Sequence, residues 1–358
     1  MLSEFSLIDR YFARRARTNT RRAALGIGDD CALIAPAAGE MLAVSTDMLV
    51  EGRHFLPDVD PHALGHKALA VNLSDLAAMG ATPLGFTLAF ALPKPREDWL
   101  EAFSNGLFEL ADRHGCELIG GDTTAGPLNL CITVFGSVRQ DDALRRDAAR
   151  PGDDVWVSGT PGDARAGLGI LRGEWPQVSI DRTDAAHFRR ALEYPEPRVA
   201  LGLALAGIAR AALDVSDGLA GDLLHILERS HVNAEIDVDA LPLSDTLARL
   251  PRALQLQCAL AGGDDYELCF TAAQAQRGAV EAAAQQAGVR VTRIGTITAP
   301  DTVVACASPG AIETAKAADV AGTHTRREAP AWPAIAWRDA SGAPLNLTLQ
   351  GFDHFHAD

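Results

Sequence analysis

Five short clusters place aspartate beside glycine or directly after a β-type run: Gly28-Asp29-Asp30, Ser45-Thr46-Asp47, Gly120-Gly121-Asp122, Asp214-Val215-Ser216-Asp217-Gly218 and Gly262-Gly263-Asp264-Asp265. They come from distant parts of a 358-residue chain. Carboxylates are hard oxygen donors suited to Mg²⁺. Glycine lets backbone approach a ligand closely, and N–H groups at a Gly-rich turn or a helix start can hold phosphate oxygens. Taken singly, each cluster also reads as an ordinary turn, because Asp-Gly and Gly-Asp are common turn chemistry. Gathered by folding, the same carboxylates would repel one another and require cations. The set predicts a metal and phosphate site without naming a reaction.

Three more residues have a chemical and a bland reading. Asp75 lies in LAVNLSDLAAMG, a stretch apolar almost all round. A buried carboxylate needs a partner: a core hydroxyl or Arg, or a metal cluster reached from a rigid helix. His54, in VEGRHF, follows Asp47 by one short loop; it is either incidental or a hydrogen-bond donor to an anion. Arg146, in RRDAARPGD, is either a solvated linker residue or a phosphate clamp closing from a mobile segment.

Periodicity indicates the elements that must carry these residues. Residues 2–16 predict an amphipathic helix with Leu2, Phe5, Ile8 and Phe12 on one stripe. A short β run at 41–46 precedes a buried helix at 63–79. A strand at 84–92, an amphipathic helix at 97–114, a short strand at 116–119 and a longer one at 129–138 follow. The polar stretch 139–154 is the candidate linker. Beyond it come a strand at 155–158, a Gly-rich turn, helices near 163–172 and 197–210, a strand into Asp214 and a helix after Gly218. Further strands are expected near 234–238, 267–271 and 290–297. The Ala-, Pro- and Thr-rich region 300–345 is expected to be irregular and mobile. The alternation implies an α/β or α+β chain of two domains, 1–140 and 141–358.

Composition excludes several classes. The chain is 47% hydrophobic and 22% charged, with a net charge of -15, which disfavours nucleic acid and anionic membrane as partners. Only three of its 32 basic residues are Lys (Lys67, Lys94 and Lys316), and no Gly-Lys pair occurs, so there is no Walker A loop. Six scattered Cys without C-x-x-C spacing read as reduced thiols of a cytoplasmic protein. The N-terminus shows no apolar signal region. The uncharged stretch 76–93 contains Gly80, Pro83 and Gly85, and reads as helix end, turn and strand rather than a membrane span.

In order, GIGDDCA (26–32), STDMLVEGRHF (45–55), NLSDLAAMGATP (72–83), GGDT (120–123), RRDAARPGD (145–153), DVSDGL (214–219), GGDDYEL (262–268) and the terminal GFDHF (351–355) resemble the thiamine-monophosphate kinase family. That family belongs to the superfamily of aminoimidazole ribonucleotide synthetase-like ATP-utilising enzymes. The resemblance implies an N-terminal domain whose four-stranded sheet pairs with a second copy in a barrel-like homodimer core. It implies a C-terminal α/β domain, with ATP in the cleft between domains. The implied reaction is ATP plus thiamine monophosphate giving thiamine diphosphate and ADP. By resemblance, Asp30, Ser45, Thr46, Asp47, Asp75, Asp122, Asp214 and Asp217 are the ligands of several Mg²⁺ ions. Gly121, Asp122, Arg146 and Ser216 match nucleotide contacts, and His54, Asp264 and Phe352 match positions facing thiamine monophosphate. The chain departs from the pattern at Asp264, where Glu is frequent, and at Ala148, where Gly is usual.

The acceptor that the resemblance implies is a phosphate monoester with a second pKa of about 6, already largely ionised at neutral pH. Neither a general base nor a nucleophile is expected, and direct in-line transfer by charge neutralisation is. Rival readings are aminoimidazole ribonucleotide synthetase-like or selenophosphate synthetase-like enzymes, or a non-catalytic nucleotide or magnesium sensor. A selenophosphate synthetase wants a reactive Cys and Lys near the N-terminus, and no Lys precedes Lys67. A sensor has no use for an acceptor pocket.

Overall fold

A computed structural model describes residues 4–16, 23–27, 30–300, 334–347 and 349. Helical turns at Glu4–Leu7 (α1) and Arg14–Ala16 (α2) flank a π-helical stretch at Ile8–Ala13, so the helix expected over 2–16 changes its winding midway. Its buried residues include Leu7, Tyr11 and Phe12; of the expected stripe Phe12 is buried, Ile8 is half-buried, and Leu2 and the Phe5 side chain lie outside what is described. Ala23–Leu25 (β1) and Leu33–Ile34 (β2) form a small ribbon.

The N-terminal sheet comprises Glu40–Val50 (β3), Thr82–Leu92 (β4), Glu117–Ala125 (β5) and Asn129–Arg139 (β6), in the order β3-β6-β4-β5. Only β4 and β5 run parallel. One face is covered by Pro61–Ala78 (α3), with Glu97–His114 (α4) packed alongside it. Asp60 starts α3 by accepting the His62 N–H at 2.8 Å, and Pro61 follows at the first turn, where its missing N–H costs nothing. Fifteen of the 18 residues of α3 are buried, which explains its apolar circumference. α4 has Glu97 and Asp98 in its first turn, Arg113 and His114 in its last, and ends on left-handed Gly115. Strand β5 runs through Gly120-Gly121-Asp122 rather than ending at 119.

The C-terminal sheet uses Asp153–Ser158 (β7), Ala211–Val215 (β8), Asn233–Asp237 (β9), Glu267–Ala273 (β10), Val291–Thr298 (β11) and Ile335–Arg338 (β12). Its order is β12-β9-β11-β7-β10-β8, antiparallel except for β12 beside β9. Its helices are Asp163–Arg172 (α5), Arg182–Glu193 (α6), Val199–Leu205 (α7), Leu219–Ser230 (α8), Arg252–Ala261 (α9) and Arg277–Ala287 (α10). Within the region expected to be irregular, β12 is regular strand, held by a β9 partner that local composition does not reveal; 301–333 lie outside the described residues. The helix expected over 197–210 is confined to α7.

The two sheets are mechanically joined. One apolar cluster runs from Phe86, Phe90 and Phe103 through Leu69, Leu73 and Leu76 of α3 to Leu201 and Leu205 of α7, Phe270 of β10 and Val280 of α10. A second cluster lies on the far side of the C-terminal sheet, under α8. The cleft between the domains is therefore floored by α3.

Candidate active site

The segment Ser45-Thr46-Asp47 sits on β3, where successive side chains face opposite ways. Ser45 and Asp47 face the helix-covered side. The Ser45 hydroxyl donates to Asp75 Oδ2 at 2.5 Å, and the Asp47 N–H donates to Asn72 Oδ1 at 3.2 Å, so both hydrogen bonds reach α3. Thr46 faces the other way and shares a hydrogen bond of 2.9 Å with Thr133 of β6. Its side chain does not join Asp47 and Asp75.

The C-terminal domain brings two loops against this strand–helix pair. Asp214 is the penultimate residue of β8, and Ser216 and Asp217 follow the strand in the turn before α8. The Asp264 N–H donates to the Ser216 carbonyl at 2.9 Å and the Tyr266 N–H to that of Val215 at 2.8 Å, zipping the DVSDGL and GGDDYEL loops together. A Cβ on Gly263 would stand 2.2 Å from the Ser216 carbonyl oxygen, so only glycine permits this approach. Asp222, in the first turn of α8, accepts the N–H groups of Ser216, Asp217 and Gly218 on its Oδ2 at 3.0, 3.1 and 3.1 Å. Glu267 anchors the other loop, accepting from Arg198 Nε at 2.7 Å and from Ser158 Oγ at 2.5 Å. Breaking such a buried pair by removing one partner costs about 3–5 kcal/mol.

Electrostatics confirms that the carboxylates crowd. Burial, then Asp75 and Asp217, push Asp47 up to about 6. Burial, then Asp75, pushes Asp214 up to about 7. Burial and the neighbouring Asp217 push Asp222 up to about 7. Asp75 is also raised by burial, against the Ser45 hydrogen bond and the Arg146 charge, which lower it. Among the described residues no three His, Cys, Asp or Glu side chains are disposed to hold one ion unaided. The donors suit ions that take some of their ligands from bound phosphates, as Mg²⁺ commonly does.

These residues border a cleft with two lobes. The larger, about 860 Å³, is lined by Asp47, His54, Asp75, Arg146, Asp214, Ser216, Asp217 and Asp264. The smaller, about 430 Å³, is lined by Ser45, Met79, Arg145 and Arg229 together with Asp75 and Arg146. Asp75 and Arg146 line both. His54 Nδ1 accepts the Val50 N–H at 3.0 Å, which in the neutral ring leaves Nε2 as the protonated nitrogen. Arg146 does not ride on a mobile linker. The Leu144 N–H donates to the Met79 carbonyl at 3.1 Å, Ala212 N–H to the Arg145 carbonyl at 3.2 Å, and Ser230 Oγ to the Arg146 carbonyl at 2.9 Å, so backbone pairing straps the segment down.

Other expected residues lie elsewhere. Gly121 is mid-strand, paired with Leu88; with φ at +149° and a Cβ position 2.0 Å from the Leu88 carbonyl oxygen, it is required by sheet geometry. Asp122 pairs with Ala89 and lies on the sheet face shared by Thr46, opposite α3. Within one chain it does not reach Asp75. Asp30 is exposed and lines neither lobe. Phe352 lies outside the described residues.

The structure adds Lys67. It is 4% exposed, lines the larger lobe, and places Nζ 2.8 Å from Asp264 Oδ1. The Tyr266 hydroxyl donates to the same oxygen at 3.2 Å. The signal was in the sequence: a charge in the apolar helical stretch that flagged Asp75.

The chain matches the description "AIR synthase related protein, N-terminal domain" over residues 28–138 and "AIR synthase related protein, C-terminal domain" over 150–306. It is 46% identical over 353 residues to the thiamine-monophosphate kinase of Salmonella typhimurium, covering 98% of each chain. It is similar to the crystal structure of thiamine-monophosphate kinase from Stenotrophomonas maltophilia K279a, with TM-score 0.76 and 50% identity over 83% of this chain and 95% of that one. It is also similar to a structure of AaThiL complexed with AMPPCP and TMP, with TM-score 0.65 and 30% identity over 83% and 91%.

Proposed function

The chain belongs to the thiamine-monophosphate kinase family of AIR synthase related proteins, and on that premise we propose how its cleft moves the γ-phosphoryl group of ATP to thiamine monophosphate, giving thiamine diphosphate and ADP. The observation that carries the reading is the junction of two lobes at Asp75 and Arg146. The nucleotide occupies the smaller lobe, and its terminal phosphate passes Asp75 towards Ser216. The acceptor lies in the larger lobe with its phosphate towards the junction.

Asp47, Asp75, Asp214 and Asp217 would hold Mg²⁺, and their mutual repulsion is the feature that fits it. When bound, such ions would supply neutralisation of the phosphate charge that opposes the transfer. Ser45 orients Asp75, and Asp222 fixes the Ser216–Gly218 turn, so the protein's contribution is positioning. Arg146 offers a planar guanidinium to phosphate oxygens at the junction. His54 presents an N–H to the acceptor. No side chain needs to remove a proton, because the acceptor oxygen is already ionised.

Thr46, Gly121 and Asp122 enter this reading only in an assembled homodimer. Leu42, Val44, Met48 and Val50 line the uncovered face of β3, and Val44 is 55% exposed. A second copy pairing over that face would complete a barrel-like core and cover Thr46 and Asp122. Asp30 is carried by resemblance alone. We place the domain division at 140/141 and the enzyme in the cytoplasm; no helix among the described residues is long and apolar enough to cross a membrane. The test is ADP release that depends on thiamine monophosphate and is matched mole for mole by thiamine diphosphate. ATP hydrolysis indifferent to the acceptor would overturn the reading.

A further inference from the structure

Lys67 is a buried ammonium that the transfer chemistry does not use. Lys67, Val71 and Asp75 follow one another at four-residue spacing along α3, and all three line the larger lobe. The helix rises about 1.5 Å per residue, so Lys67 stands about 12 Å from Asp75 along its axis. That is roughly the reach of an extended two-ring phosphate monoester. If the acceptor phosphate sits at Asp75, its far end meets the Lys67–Asp264 pair.

Asp264 is held from three sides. Its backbone is in the left-handed region at φ +68°, its N–H is taken by Ser216, and its Oδ1 receives both Lys67 Nζ and the Tyr266 hydroxyl. Both of these side-chain contacts fall on the one oxygen, Oδ1. Asp47 and Asp214 line the same lobe as Asp264. Without a cation beside it, Asp264 would be one more carboxylate in a pocket already rich in them, and would draw a divalent ion as they do.

We propose that Lys67 is a positioning residue that divides the acidic cleft: it cancels the charge of Asp264, withholds that carboxylate from metal, and presents Oδ2 as an oriented acceptor for the amino N–H of the substrate's neutral aminopyrimidine ring. The proposal rests on the functional reading above for the identity of the substrate, but the partition of charge does not depend on it.

The experiment uses the full chain and Mn²⁺ as a paramagnetic probe, counted by electron paramagnetic resonance without substrate, followed by steady-state kinetics. Lys67→Met gains one bound Mn²⁺ per chain over wild type, and Lys67→Met/Asp264→Asn loses it again. Lys67→Met raises KM for thiamine monophosphate about 10-fold or more, while KM for ATP stays within about 2-fold. Inhibition by the thiazole phosphate fragment, which lacks the aminopyrimidine ring, is unchanged. Lys67→Arg keeps the charge and the wild-type Mn²⁺ count, which retains the test if the Met variant does not fold. An unchanged Mn²⁺ count in Lys67→Met, an unchanged KM for thiamine monophosphate, or an extra ion in Lys67→Arg overturns the proposal. Failure of the wild-type protein to release ADP in response to the acceptor would instead overturn the functional reading, leaving the ion count to decide the role of Lys67.

Discussion

The Ser45 hydroxyl lies 2.5 Å from Asp75 Oδ2 and donates to it, tying β3 to α3 at the point where the two lobes of the cleft meet. Hydroxyl-to-carboxylate bonds this short are strong and directional. Ser45→Ala frees Asp75 to rotate. The expected result is about a 10-fold fall in kcat/KM and a higher Mg²⁺ requirement, read by titrating Mg²⁺ against ADP release.

Asp75 and Asp47 are the most damaging carboxylates to neutralise, because each faces several of the others. Asp75→Asn and Asp47→Asn should each lower turnover by about 100-fold or more even at saturating Mg²⁺. Near-wild-type turnover in either variant removes that residue from the metal-holding set.

The raised carboxylates make stability depend on pH in an unusual direction. Asp47 at about 6, and Asp214 and Asp222 at about 7, hold protons in the folded state that the unfolded chain releases near the ordinary value of 3.8. Their contribution is therefore full below that value and is lost as pH rises through 6 and 7. Metal-free protein should melt at a lower temperature at pH 8 than at pH 6 on this account. Mg²⁺ should raise Tm more at pH 8, where it displaces no protons. Calorimetry with and without a chelator reads both effects, and an equal Mg²⁺ shift at the two pH values contradicts them.

The uncovered face of β3 is the proposed dimer surface. Val44→Asp places a charge in the middle of it and should give a monomer by light scattering. Wild-type mass for the variant moves the interface elsewhere.

Much of the architecture was legible because periodicity reports which side is buried. The apolar circumference of the α3 stretch gave its burial, and the charge inside it gave Asp75. The same signal held Lys67, but an isolated Lys is ordinarily solvent-facing, so its pairing with Asp264, nearly 200 positions later, could not be read locally. Thr46 and Asp47 are adjacent letters on opposite faces, and a one-residue difference in strand parity decides which meets α3. Asp122 was expected at a turn; the strand continues through Gly121 because Leu88 of β4 pairs with it, a long-range contact. Arg146 looked like linker because RRDAARPGD is polar, whereas its fixation comes from backbone partners at Met79 and Ala212.

The apolar cluster shared by α3, α7 and α10 has a thermodynamic consequence. A Cβ on Gly202 of α7 would stand 2.0 Å from the Ala77 carbonyl oxygen of α3, so the helices touch backbone to backbone. Neither half can swing away without tearing that seam and exposing it to water. The chain should then melt in one cooperative step rather than two, and its ligands must come and go through movements of short surface segments rather than by a wide hinge opening.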